Sequence, residues 1–340
     1  MRVETLTRDN CDAYVAFRKR MWPVHDGAGP WEIVLHKYLS NPRVESCPGS
    51  GLYACFDNGQ ICGVMGAYPM PITLNSRVHP GHMMVDWAVL PEYQSKPIGA
   101  VLYKTLVNLP GRKFASYGTP ASQRALSRAG IQIPAVAAAA VLQPIKAAAL
   151  RLYLRNFAQP SPIAGGKFSL PGRAETMTAE ELTASSPADP SDTAYVQSGP
   201  DFWRSYFDCR AFNGAFALRL NRDGESGDVV MSFLEAGTVR FATLLAYRPD
   251  SPTVSAAKKL GRSLREAMRS LRVCVLIATE ADGLLQTLMN TVGIYVVRKS
   301  VHWWVIPKKD DSFAPDSVQW WLTSADRDSI WAPGGLTTAS

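Results

Sequence analysis

Apolar and polar positions alternate along RVETLT, Arg2 to Thr7, and the alternation predicts a short strand. The next stretch, RDNCDAYVAFRKRMW, has helix-favouring composition. From Gly51, GLYACFDNGQICGVMGAY reads as a hairpin: two alternating runs joined by a polar turn with Asn58-Gly59 at its tip. Asp86 to Leu106, DWAVLPEYQSKPIGAVLYKTL, then predicts a strand, a tight loop and a helix start. ALSRAGIQIPAVAAAAVL, Ala125 to Leu142, predicts a helix end, a Gly-Ile stop and a strand.

The same order returns. RAETMT, Arg173 to Thr178, answers to RVETLT, and AEELTASS follows it as helix. GAFALRLNRDGESGDVVMSFL, from Gly214, repeats the hairpin with Asp223-Gly224 at the turn. TLMNTVGIYVVRKSVHWWVI, Thr287 to Ile306, repeats the helix end and strand, with Gly293 at the helix stop where Gly130 stands in the first half. Each half therefore predicts an α/β domain, a mixed and largely antiparallel sheet flanked by helices. The expected division is a first domain over 1–145, a Pro-, Ala- and Gly-rich basic link over 146–168, a second domain over 169–309 and a tail over 310–340. The link holds a short helical pattern, IKAAALRLYLRNF, and the tail's Trp320, Trp321 and Trp331 argue that it packs on the body.

The 340 residues are comfortable for two domains, and the apolar share of 46% is enough for real cores. Thirty-six Lys and Arg against 29 Asp and Glu leave a net charge of +7, which suits an anionic ligand and equally suits plain solubility. The six cysteines have no CxxC spacing and no histidines beside them, which predicts neither a zinc site nor a disulfide framework. Asp326 and Asp328 lack the other positions of a calcium loop. No charged-then-apolar leader opens the chain, and its most apolar run is interrupted by Pro144 and Lys146. A cytoplasmic protein without a membrane segment is the expectation.

The strand ending AVLPEY, Ala88 to Tyr93, and the loop Gln94-Ser95-Lys96-Pro97-Ile98-Gly99 before the helix resemble the acyl-CoA signature of the GNAT superfamily of N-acyltransferases. Val89, Pro91, Tyr93, Gln94 and Gly99 fit the family's pattern; Pro97 stands where it has glycine. WEIVLHKYLSNP, Trp31 to Pro42, resembles the family's second-helix region. The resemblance of fold covers nearly the whole chain, once per half, whereas the sharp motif occurs once. It implies a site for acetyl-CoA or another acyl-CoA formed by Ala88, Val89, Gln94, Ser95, Lys96, Ile98, Gly99 and Ala100.

The chemistry of the motif is plain. A helix start offers N–H groups without helical partners to a pyrophosphate, the helix dipole adds positive charge, and glycine permits close approach. Lys96 adds charge, Ser95 is placed to cap, and Pro97 withholds one donor, a loss of about 1 kcal/mol. The second half reads LLAYRPDSPTVSAAKKL at the corresponding place, with two prolines, no glycine and Asp250, and predicts a copy that does not bind. Its helix carries Lys258, Arg262, Arg265, Arg269 and Arg272 in one row, a solvated face or a contact for an anion.

The resemblance also implies catalytic roles. The backbone N–H near Val89 would meet the thioester carbonyl, and Asp86 would act as general base or amine anchor. The family's usual acid, a tyrosine, falls at Leu126, so Tyr117 is the candidate stand-in. His25 and Asp26, in the loop MWPVHDGAGPW, are candidates for acceptor contact. The expected function is acyl-CoA-dependent N-acyl transfer to a small-molecule amine or amino sugar, with no nucleic-acid partner. Two alternatives stay open: a Fem-like aminoacyltransferase using charged tRNA, and a non-catalytic GNAT-like binding protein.

Overall fold

The structure is a computed structural model that describes residues 1–21, 30–74, 77–116, 123, 126–128, 130–144, 161–162, 170, 172–184, 193–196, 198–208, 215–236, 239–280, 283–306 and 319–321. In chain order the first elements are β1 (Arg2–Thr5), α1 (Cys11–Met21), α2 (Pro30–Val34), β2 (Gly51–Asp57), β3 (Gln60–Pro69), β4 (Ile72–Leu74) and β5 (Arg77–His79). Then come β6 (Gly81–Val89), α3 (Ile98–Val107), β7 (Arg112–Ser116), β8 (Ile131–Val141) and the two-residue β9 (Ser161–Pro162). The later part holds β10 (Ala174–Met177), α4 (Ala179–Ala184), β11 (Thr193–Val196), α5 (Pro200–Asp208), β12 (Ala215–Arg222), β13 (Glu225–Ala236) and β14 (Val239–Pro249). It closes with α6 (Val254–Ser270), β15 (Val273–Glu280), α7 (Gly283–Val292), β16 (Ile294–Ile306) and β17 (Gln319–Trp321).

The chain forms two compact units, Met1–Ile133 with Asp192–Gln197 and His302–Gln319, and Pro134–Ser191 with Ser198–Val301 and Trp320–Ser340. In unit 1 the strands run β1-β2-β3-β6-β7 and end on the close of β16, where Trp304 pairs with Ala115. All neighbours are antiparallel except β6 and β7, which α3 links in parallel. Unit 2 has the order β8-β15-β14-β13-β12-β10, and again one pair alone is parallel, β14 with β15, linked by α6. These are two GNAT-like α/β folds in tandem, each a mixed, largely antiparallel sheet with helices.

The repeat read in the sequence is physical. β1 pairs with β2 and β10 with β12, each the first strand of its hairpin. Both hairpins turn on two residues of positive φ, Asn58 (49°) with Gly59 (80°) and Asp223 (50°) with Gly224 (80°). That is the turn whose twist matches paired strands. The units are not contiguous halves of the sequence. From Pro134 onward β8 lies in unit 2 on β15, and the end of β16 lies in unit 1 on β7.

Gly130 and Gly293 do stop helices, their N–H groups bonding Leu126 and Met289 four residues back. Neither has the positive φ of the usual glycine cap. Close packing explains them instead: a Cβ would stand 3.1 Å from the Val305 carbonyl oxygen at Gly130 and 2.7 Å from that of Val141 at Gly293.

α3 buries Ile98, Leu102 and Leu106, one residue per turn, against Met65, Met84 and Trp304. Each such side chain contributes on the order of 1.5–3 kcal/mol. This packing fixes the start of α3 beside the end of β6. Leu126, at the family's tyrosine position, is 3% exposed in the same core and has no proton to give.

Candidate active site

β6 changes partners halfway along. Its parallel pairing with β7 runs from Gly81–Arg112 to Met84–Ala115 and stops, so 85–89 have no partner on that side among the described residues. On the other side β3 continues, but Gly66 pairs with Val85 and Val64 with Ala88. Asp86 and Trp87 together therefore face Met65, a β-bulge of one extra residue. Asp86 takes the strained place with φ of 51°. Asp is among the few residues that tolerate it, since its short polar side chain bonds locally.

The bulge sends two consecutive side chains to different surroundings. The Trp87 ring stacks on Tyr103 of α3, with centroids 5.8 Å apart and planes 16° from parallel. Asp86 meets the turn after α2, Leu35–Leu39, which is wound as a π-helix. Asp86 Oδ2 accepts from Lys37 Nζ at 2.7 Å and from the Tyr38 hydroxyl at 2.6 Å. Burial alone would raise the Asp86 pKa. The charge and hydrogen bond of Lys37, the Tyr38 hydroxyl and the Arg18 charge outweigh burial and hold the carboxyl below the ordinary carboxylate range. A carboxylate so held is a weak proton acceptor and a strong cation receptor.

The open edge of β6 has one donor well placed. The N–H of Leu90 bonds the Cys62 carbonyl at 3.0 Å, towards β3. Successive residues of a strand turn their N–H groups to opposite sides, so that of Val89 points to the edge that β7 has left. Ala88 is buried at 6% exposure whereas Val89, opposite Gly63, is half-buried, so of the two expected residues Val89 is the one presented.

A groove of about 430 Å³ is lined by Trp87, Val89, Gln94, Lys96, Pro97, Gly99, Ala100 and Tyr103. The first bond of α3 is Val101 N–H to the Pro97 carbonyl, 3.0 Å. The N–H groups of Ile98, Gly99 and Ala100 precede it and have no helical partner. A Cβ on Gly99 would reach within 3.3 Å of the Trp87 ring nitrogen, so a side chain there would crowd the Trp87 wall of the groove.

Pro97 is the N-cap residue itself, with φ −77° and ψ 26°. It withholds a donor just ahead of the three that remain. No side chain caps α3, so the cap expected of Ser95 is not made, and its absence leaves the helix donors open. The N–H groups of Gln94 and Lys96 are spent inside the loop on Pro91 and Tyr93. Lys96 Nζ pairs with Asp57 at 3.3 Å and lies 4.5 Å from the Tyr93 ring centroid. Its charge stands on the groove wall. Ile98 is fully buried and offers only its backbone.

Unit 2 keeps the scaffold of this site and lacks its chemistry. Parallel pairing of β14 stops at Thr243–Ile277, and a bulge follows at the same distance as in β6. The residue there is Leu245, fully buried. Thr253 Oγ1 accepts the Ala256 N–H at 3.1 Å and caps α6, and Asp250 pairs with Arg219. In the basic row, Arg265 bonds the Val292 carbonyl at 3.0 Å and closes α7, while Lys258, Arg262, Arg269 and Arg272 are exposed.

Tyr117, His25 and Asp26 lie outside the described residues. Lys37, Tyr38, Trp87 and Tyr103 were not singled out by sequence reasoning. The lone lysine inside WEIVLHKYLSNP was the available signal for the first two.

Residues 2–130 match the model of the acetyltransferase (GNAT) domain. Among solved structures the chain is similar to a GCN5-related N-acetyltransferase from Anabaena variabilis at 11% identity, with a TM-score of 0.54 over 89% of this chain and 72% of that one. A GCN5-related N-acetyltransferase from Kribbella flavida follows at 13% identity and TM-score 0.53, over 89% of this chain and 70% of that one. Saccharomyces cerevisiae N-myristoyltransferase, solved with bound myristoyl-CoA, has 11% identity and TM-score 0.52, over 90% and 78%. No curated protein sequence matches the chain. The GNAT domain match over residues 2–130 supports acyl-CoA-dependent acyl transfer in general. No helix among the described residues is long and apolar enough to cross a membrane, which says nothing of a β-barrel.

Proposed function

We propose that the protein is an acyl-CoA-dependent N-acyltransferase that acetylates a primary amine of a small molecule or amino sugar. The observation that carries this reading is the meeting of two features in one groove: Val89, whose N–H side of β6 has no strand partner among the described residues, and the uncapped start of α3. Acyl-CoA supplies an activated thioester. The N–H groups of Ile98, Gly99 and Ala100, with the dipole of α3, hold phosphate. The Val89 N–H donates to the oxygen that gains charge during attack. Asp86 holds the acceptor's nitrogen, water takes the ammonium proton and so frees the lone pair that forms the C–N bond, and the C–S bond breaks to release CoA, whose sulfur takes the second amine proton. Tyr117, His25 and Asp26 remain candidates for proton transfer and acceptor contact. The division into domains at 1–145 and 169–309, with only the first binding acyl-CoA, belongs to the same proposal.

The experiment is release of free CoA thiol from acetyl-CoA in the presence of a panel of primary amines and amino sugars. Amine-dependent release with a matching mass gain on the amine is expected. Release that no amine accelerates contradicts the reading.

A further inference from the structure

Lys37 has no part in the reaction as just described, yet its side chain is only 2% exposed. Stability does not account for it. Taking an ammonium out of water costs several kcal/mol, and apolar replacements of buried ion pairs are often neutral or better. Its placement is specific. Consecutive residues of an α-helix diverge by about 100° and do not face one target. Lys37 and Tyr38, consecutive in the π-helical turn, nonetheless both meet the same oxygen of Asp86. Room for Tyr38 comes from β3: a Cβ on Gly66 would lie 1.9 Å from its hydroxyl. Both bonds end on Oδ2. Oδ1 accepts no hydrogen bond from the described residues, and the Asp86 side chain keeps 22% exposure.

We propose that Lys37 is a positioning residue: with Tyr38 it fixes Oδ2 of Asp86 and leaves Oδ1 as the receptor for an acceptor that arrives as a primary ammonium ion. This rests on the acyl-transfer reading for its purpose and deepens it by naming the acceptor's charge state. A fixed carboxylate beside the open edge of β6 gathers a cation with N–H donors and gives a neutral hydroxyl far less. Among the described residues the groups that face Asp86 are Lys37 and Tyr38 from the π turn and Arg18 and Tyr14 from α1. Burial lifts the pKa of Tyr14, which keeps it neutral. Lys37 supplies the largest of the effects that oppose burial at Asp86, so the carboxylate stays ionised below the usual range.

The test uses the full chain with ¹³C-labelled aspartate, the Asp86 carboxyl signal assigned by its loss in Asp86→Asn. Methylammonium chloride is the probe, with tetramethylammonium chloride and methanol as controls. In the wild type methylammonium should move the Asp86 signal saturably and the controls should not. In Lys37→Met the Asp86 titration midpoint should rise, because the cation that opposes burial is gone. The pH below which methylammonium loses its effect should rise with it. Lys37→Arg should restore both. An Asp86 signal that methylammonium leaves unmoved in the wild type overturns the proposal, as does a Lys37→Met midpoint equal to the wild type's. Titration of the same samples with acetyl-CoA separates the failures: absent CoA binding removes the acyl-transfer reading and leaves the ammonium result standing.

Discussion

Asp86→Asn is expected to cut amine-dependent turnover by about 10²–10³-fold while acetyl-CoA binding changes by about twofold or less. The estimate comes from the charge. Removing one partner of a desolvated charge pair costs about 2–5 kcal/mol, which brackets a loss of this size when the acceptor's ammonium loses its carboxylate. CoA binding is spared because Asp86 bonds the turn after α2, whereas the groove is walled by Trp87, α3 and the loop before it. Asparagine also tolerates the φ of 51°, so the bulge survives. The substitution leaves Lys37 buried without its counter-charge, a destabilisation of about 3–5 kcal/mol. The double variant Asp86→Asn with Lys37→Met relieves that and should regain stability without regaining turnover. Steady-state kinetics and melting of both variants check the outcome. Turnover at the wild-type level in Asp86→Asn removes Asp86 from the reaction.

Gly99→Leu should abolish acyl-CoA binding and leave the fold intact. The Cβ alone would stand 3.3 Å from Trp87, and the rest of the side chain enters the groove between Trp87 and the start of α3. Two hydrogen bonds to a charged phosphate lost at about 1.5–3 kcal/mol each amount to about 10²–10⁴-fold in affinity. Helix propensity works the other way, since leucine is better than glycine in a helix by about 1 kcal/mol. A melting temperature equal to or above the wild type's, with binding gone, is the expected pair of results. Retained binding would mean that phosphate does not approach Gly99.

The elements of the fold were legible where local chemistry decides them. Asn58-Gly59 and Asp223-Gly224 predict the two hairpin turns because few other pairs accept positive φ twice in succession. RVETLT and RAETMT predict the short strands that β1 and β10 become. The crossing of β8 and the end of β16 between units was not legible. An apolar strand needs a neighbour, and its sequence does not say which sheet supplies it. The helix-start loop was legible as a motif; that Pro97 is the N-cap, and that Ser95 makes no cap, required the backbone geometry. Asp86 was legible as a carboxylate near the motif. Its partners were not, because Lys37 and Tyr38 lie 49 and 48 residues away and meet it only through the bulge in β6 and the π turn after α2.

The central claim is that one half of a duplicated fold keeps the acyl-CoA cradle and the other has closed it. The cradle at Ile98–Ala100 lies open, whereas Thr253 caps its counterpart, Asp250 stands beside it, and Leu245 replaces Asp86. Calorimetric titration of the full chain with acetyl-CoA tests this most directly. The account predicts a single class of site with one acetyl-CoA per chain. Two equivalent sites per chain, or no binding, would contradict it.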